Sequence, residues 1–217
     1  MQLIDLSHTL FDGLITYKGL PAPLVCDFLS REASAEHYSD NTTFHIGKIE
    51  MVANSGTYID APFHRFADGM DVSELALESV AGLDGVVFRP KSHTRAIGRD
   101  LFGDIPIAGK AVLVETGWSQ HWNTDRYFEN HPYLTRDAAL YLRDAGAALV
   151  GIDSLNIDDT SDGDRPVHTI LLGANVLIVE HMTGLAQLPN SGFQFYAVPV
   201  KVKGMGTFPV RAFAAIA

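Results

Sequence analysis

Short apolar runs bounded by glycine, proline, asparagine or aspartate recur along the chain and predict a domain built mainly on strands. Strands are expected at Leu3–Leu6, Gly85–Phe88, Ala111–Glu115, Ala147–Ile152, Asn175–Glu180, Phe193–Val200 and Phe208–Phe213. A longer one is expected over Phe44–Ala53, where Phe44, Ile46, Met51 and Val52 stand among polar residues. Several runs are almost continuously apolar, which implies burial on both faces of a sheet. The clearest helix is Arg136–Ala145, with Thr135 as N-cap, Ala138, Leu142 and Ala145 on one face, and Gly146 as its stop. Ser73–Val80 and Asp100–Phe102 predict short helices, and His168–Leu172 a turn or two before Gly173. Strands outnumber helices in mixed order, so the pattern predicts a single α/β domain over residues 1–217, with a mixed, largely β core and flanking helices.

Composition narrows the class. In 217 residues, 47% are hydrophobic and 19% charged, which excludes a disordered chain, and runs such as Val176–Val179 are too short to span a bilayer. The opening residues have no basic segment followed by an apolar stretch, so a cytoplasmic location is expected. The net charge of −10, with basic residues scattered, argues against a nucleic-acid or membrane partner and for a small-molecule substrate. Cys26 is the one cysteine, so an intrachain disulfide is impossible, and any metal site must draw on the nine histidines and the carboxylates. No dinucleotide fingerprint, phosphate-binding loop, nucleophile elbow or H-E-x-x-H is present. The acidic stretch Asp158–Gly163 departs from a calcium loop at Thr160 and Thr169 and is expected to be a solvated loop.

The informative stretch is Asn54-Ser55-Gly56-Thr57-Tyr58-Ile59-Asp60-Ala61-Pro62-Phe63-His64. Extended backbone would put Asn54, Gly56, Tyr58 and Asp60 on one face, and Pro62 would turn the chain so that His64 comes back toward Asp60. Further on, a reversal between His168 and Glu180 could bring those two together. Glu180 ends an apolar strand, where a lone carboxylate would be costly and calls for a cation. His181 would face away from Glu180 if the strand continued, while His8, His37, His93, His121 and His131 read as surface or satisfied core residues.

This stretch resembles the signature H-x-G-T-H-x-D-x-P-x-H of the cyclase family, the group that includes bacterial kynurenine formamidase and isatin hydrolase. Ile4-Asp5-Leu6-Ser7, Leu113–Trp118, Gly151–Leu155 and Phe208–Arg211 extend the resemblance along the chain. It implies a swivelling β/β/α-like fold, a homodimer or larger homo-oligomer, and hydrolysis of a linear or cyclic amide such as N-formylkynurenine. Carried over position by position, Asp60, His168 and Glu180 match the ligands of one divalent metal, and His64 matches the acid/base histidine. Asn54 and Tyr58 stand where the family has two metal-binding histidines. A neutral amide and a phenol are poor replacements, so one zinc or manganese ion is expected and the second family site is expected to be lost.

The expected chemistry is therefore attack of a metal-activated water on an amide, with His64 moving the proton and Tyr58 stabilising the oxyanion. Asn54 and Tyr58 could also bind substrate by hydrogen bonds. Two alternatives remain from the sequence: a non-catalytic binding protein that kept the pocket, and a metal-independent hydrolase or lyase acting on another substrate. The exchange of histidine for polar residues suits repurposing of the site better than decay.

Overall fold

The apolar runs pair into one nine-stranded sheet in the computed structural model, which describes residues 1–91 and 94–216. His93 lies outside the described residues. The strands are β1 (Gln2–Asp5), β2 (Leu24–Leu29), β3 (Ile46–Glu50), β4 (Tyr58–Asp60), β5 (Ala81–Phe88), β6 (Ala96–Ile97), β7 (Ala111–Val114), β8 (Tyr133–Leu134), β9 (Leu149–Ile152), β10 (Leu177–Glu180), β11 (Ser191–Tyr196), β12 (Thr207–Pro209) and β13 (Phe213–Ile216). The helices are α1 (Arg31–Ser34), α2 (Arg136–Asp144) and α3 (Pro166–Gly173).

The sheet runs β1-β13-β11-β5-β7-β9-β10-β4-β12, with β5, β7, β9 and β10 parallel and the outer pairings antiparallel. In the middle, β7, β9 and β10 are buried at every position, as their unbroken apolar runs require. Alternation then divides them between two cores. Val112, Val114, Val150 and Ile178 pack under α2 and α3, while Leu113, Leu149, Leu177 and Val179 join Phe193, Phe195 and Ala214 from the antiparallel wing. The sheet must curl to make that second core. Laid flat, β12 and β13 would stand about 34 Å apart, whereas the three residues between them reach about 14 Å at most. The two edges meet through Ser7 Oγ donating to Val210 O at 3.2 Å and His8 N–H donating to Thr57 Oγ1 at 3.0 Å.

The largely β core with flanking helices stands as expected. Helix α2 ends at Gly146 with φ +76°, Ala138 and Leu142 are buried, and the Thr135 hydroxyl bonds Asp137 and Ile97 O instead of capping a backbone N–H. Three expectations change. Phe208–Phe213 is two strands, because the chain crosses between the sheet's edges there. Ser73–Val80 is one tight turn at Leu77–Ser79, since Ser73 binds back to the Asp71 carboxylate and starts no helix. The alternating segment Phe44–Ala53 narrows to β3 and pairs with the unforeseen β2 in a separate arm. Its alternation does not mark a core face, for Phe28 is 74% and Ile49 60% exposed. Among the described residues no helix is long and apolar enough to cross a membrane.

Candidate active site

Strands β4 and β10, the turn that follows β4, and helix α3 converge on one site. Strands β4 and β10 pair antiparallel with Tyr58 opposite Glu180 and Asp60 opposite Ile178, so Tyr58, Asp60 and Glu180 share one face. After extended Ala61, Pro62 opens a single tight turn, closed by His64 N–H to Ala61 O at 2.9 Å. That turn brings His64 Nε2 to 3.8 Å from Asp60 Oδ1. Helix α3 supplies His168. The expected extended row is shorter than its sequence suggests, since Gly56 adopts φ +66°, yet Asn54 and Tyr58 still line the same cavity.

The turn is held from behind by Gly206, where a Cβ would come within 2.3 Å of His64 N and 2.5 Å of its Cα. Both contacts are backbone and cannot swing aside. Gly206→Ala is therefore expected to shift His64, and should His64 serve as an acid/base group, to lower kcat about tenfold or more, the scale of a misplaced reacting group. Steady-state kinetics beside a thermal melt separates this effect from a general loss of fold.

Hydrogen bonds fix the rest of the cluster. Thr207 Oγ1 donates to Asp60 Oδ1 at 2.5 Å, so it can only accept from His64 Nδ1, 2.9 Å away. In the neutral ring this places the His64 proton on Nδ1 and the lone pair on Nε2. His168 Nδ1 is 2.6 Å from Asp158 Oδ2, which turns its Nε2 toward Asp60 and Glu180. Glu180 accepts from Tyr58 Oη at 2.7 Å and from Ile157 N–H at 2.6 Å.

The charges follow from this packing. Burial opposes ionisation of Asp60, but the nearby His168 and His64 and the Thr207 hydroxyl outweigh it and hold the carboxyl below its usual range. Burial opposes the charged form of His168 too, and Asp158, Asp60 and Glu180 reverse it, carrying the imidazole up to about 10. For Glu180, burial leads and Asp60 adds to it, pushing the carboxyl up despite His168. Burial and Glu180 push the Tyr58 phenol well above its ordinary value, so it is a neutral donor whose proton is committed to Glu180.

The donor set fits a divalent cation. Asp60 Oδ2 is buried without a hydrogen-bond partner. His168 Nε2 lies 3.7 Å from it and 3.8 Å from Glu180 Oε1. These separations are too long for hydrogen bonds, and close to the roughly 3.4 Å between two ligands that each sit about 2.1 Å from one ion. Among the described residues no lysine or arginine pairs with Asp60 or Glu180. Ligand atoms of Asp60, His64 and His168 also lie within 4.8 Å of one another, so His64 can approach the same ion. Glu180 is not part of that group, and its carboxylate already accepts from Tyr58 and Ile157. Beside it, Asn54 lines the same cavity as Tyr58, and amide and phenol stand at the sequence positions of the two histidines of the resembled signature.

Two site residues went unseen in the sequence. Asp158, read as part of a solvated loop, is fully buried and accepts from Val167 N–H, His168 N–H and His168 Nδ1. The available signal was its place shortly before the proline-led helix. Thr207 carried none, since its partners lie more than a hundred residues away. His181 is buried with φ +54°, which ends β10, and its Nδ1 is 2.9 Å from Tyr127 Oη. It does not line the cavity.

A cavity of about 450 Å³ opens over this cluster, walled by Tyr17, Leu20 and Asn54 and floored by Tyr58, His168 and Glu180. The chain is 27% identical over 211 residues to a kynurenine formamidase of Bacillus anthracis, an alignment covering 96% of this chain and 95% of that protein. A kynurenine formamidase of Salinibacter ruber is also 27% identical, over 98% of this chain and 96% of that one. A solved structure described as a potential metal-dependent hydrolase with cyclase activity superposes with TM-score 0.79 at 26% identity, covering 98% and 96% of the two chains. Isatin hydrolase A from Ralstonia solanacearum shares the fold, with TM-score 0.82 at 22% identity over 100% and 92%. The cyclase family model matches residues 4–159, a span that holds the whole segment from Asn54 to His64, and this chain belongs to the cyclase family.

Proposed function

We propose that the protein hydrolyses a linear or cyclic amide, with formanilides of the N-formylkynurenine type as the reference substrates. The observation that carries this reading is that His64, His168 and Glu180 line one cavity while the unpartnered Asp60 Oδ2 lies buried 3.7 Å from His168 Nε2. Asp60, His168 and Glu180 would hold one zinc or manganese ion, with His64 in reach of it. When bound, such a cation supplies Lewis acidity to a water and to the scissile carbonyl. The chain's own groups do the rest. Thr207 keeps the proton on His64 Nδ1, so Nε2 takes the proton from the attacking water and returns it to the leaving nitrogen. Asp158 orients His168 from behind. Asn54 in the wall can donate to a substrate carbonyl directly, and Tyr58 at the floor can do so once its hydroxyl turns away from Glu180.

Metal-loaded protein is expected to turn over N-formylkynurenine or isatin above the uncatalysed rate, and failure on both would overturn the reading. One observation favours a second reading. Because Tyr58 and Ile157 already satisfy Glu180, the pocket could work without metal, as a binding protein or as a metal-independent hydrolase or lyase. Turnover that persists in excess chelator would favour the metal-independent enzyme. The reading also pairs two copies of the chain. The β2–β3 arm has only two strands and exposes Phe28 and Ile49, too little burial for independent stability. Light scattering is expected to give a dimer or larger, and a monomer at micromolar concentration would contradict it.

A further inference from the structure

The outer wall of the cavity is basic although the chain is not. Net charge is −10, yet Lys18, Arg65 and Arg165 line the opening above His64. Lys18 lies 3.5 Å from Asp125. Among the described residues neither guanidinium has a carboxylate within ion-pair distance. Arg165 is instead anchored by neutral groups, donating through Nη1 to the carbonyls of Asp159 and Asp162 and through Nη2 to that of Thr160. Those bonds hold the side chain without neutralising it and leave Nε–H uncommitted. Arg65 donates Nε–H to Thr169 Oγ1 at 3.2 Å, and Thr169 Oγ1 donates to Arg165 O at 2.9 Å, so one hydroxyl ties the two arginines together at the first turn of α3. Both Nη groups of Arg65 remain available.

Arg165 is held there at a cost. It adopts φ +47° directly before Pro166, a region that an L-residue ahead of proline avoids. A pair of fixed guanidinium groups lacking protein carboxylates, beside the apolar surface of Tyr17 and Leu20, matches a planar anion joined to an apolar body.

We propose that Arg65 and Arg165 bind a carboxylate of the substrate, so that the scissile amide at the cavity floor belongs to an aryl or similarly apolar carboxylic acid. This rests on the amide-hydrolase reading for the reaction, but the carboxylate subsite can be tested without turnover.

Two measurements test it. The first is the ratio of kcat/KM for a carboxylate-substituted formanilide to that for plain formanilide, a quotient from which any general loss of activity cancels. The ratio is expected to be about tenfold or more in the native protein, the scale of one charge-assisted contact, and to fall toward unity in Arg65→Gln and Arg165→Gln. A native ratio near unity, or one unchanged in both variants, overturns the proposal. The second is calorimetric binding of benzoate, benzamide and phenyl phosphate. Benzoate should bind most tightly and weaken about fivefold or more in Arg65→Gln, whose exposed side chain leaves the fold intact. Benzoate binding no tighter than benzamide, or weaker than phenyl phosphate, overturns the carboxylate assignment. Arginine-dependent benzoate binding without hydrolysis of any formanilide would support the subsite and sink the hydrolase reading alone.

Discussion

Asp158→Ala is expected to cost about 3–5 kcal/mol of stability, the scale of removing one partner from a buried charged pair. Asp158 is fully buried, and its two oxygens accept from Val167 N–H at 2.7 Å, His168 N–H at 3.0 Å and His168 Nδ1 at 2.6 Å. Alanine would leave two N–H groups of the first turn of α3 and a buried imidazole without their carboxylate partner. Urea unfolding should show a lower midpoint with an unchanged slope. Where the variant remains folded, cation affinity should fall about 10–100-fold, because the carboxylate behind a ligating imidazole sets its orientation and basicity. A stability loss under about 1 kcal/mol would mean that the loop carries the helix by other contacts.

His64→Ala is expected to lower kcat about 10²–10⁴-fold, the range of a positioned acid/base group, with bound cation retained. The side chain is 35% exposed, so its removal leaves no cavity in the core and should barely move the melting temperature. The cation readout decides between two roles that the geometry permits. His64 Nε2 is within reach of the Asp60–His168 pair, so loss of the cation with His64 would make it a ligand and remove it as the proton carrier.

The parallel centre of the sheet was legible because β7, β9 and β10 are buried on both faces and need unbroken apolar runs. Helix α2 was legible from its apolar face and its glycine stop. Of the β2–β3 arm only β3 was legible, and that it stands apart from the core was not, because alternation normally reports one buried face and here neither face is covered. The split between β12 and β13 depends on the curl of the whole sheet, which local pattern does not carry. In the site, Asp60 and His64 could be brought together from Pro62 alone, a local turn, and the resemblance supplied His168 and Glu180. Asp158 and Thr207 act by holding other side chains, and their partners are set by long-range packing. Arg65 and Arg165 look like ordinary surface charges until the fold puts both on one cavity wall.

We propose that the site, with Asn54 and Tyr58 in place of two histidines, keeps one cation centre. Its most direct test is calorimetric titration of zinc or manganese into chelator-treated protein. One cation per chain is expected, whereas no saturable binding, or two cations per chain, would rule out a single-cation site.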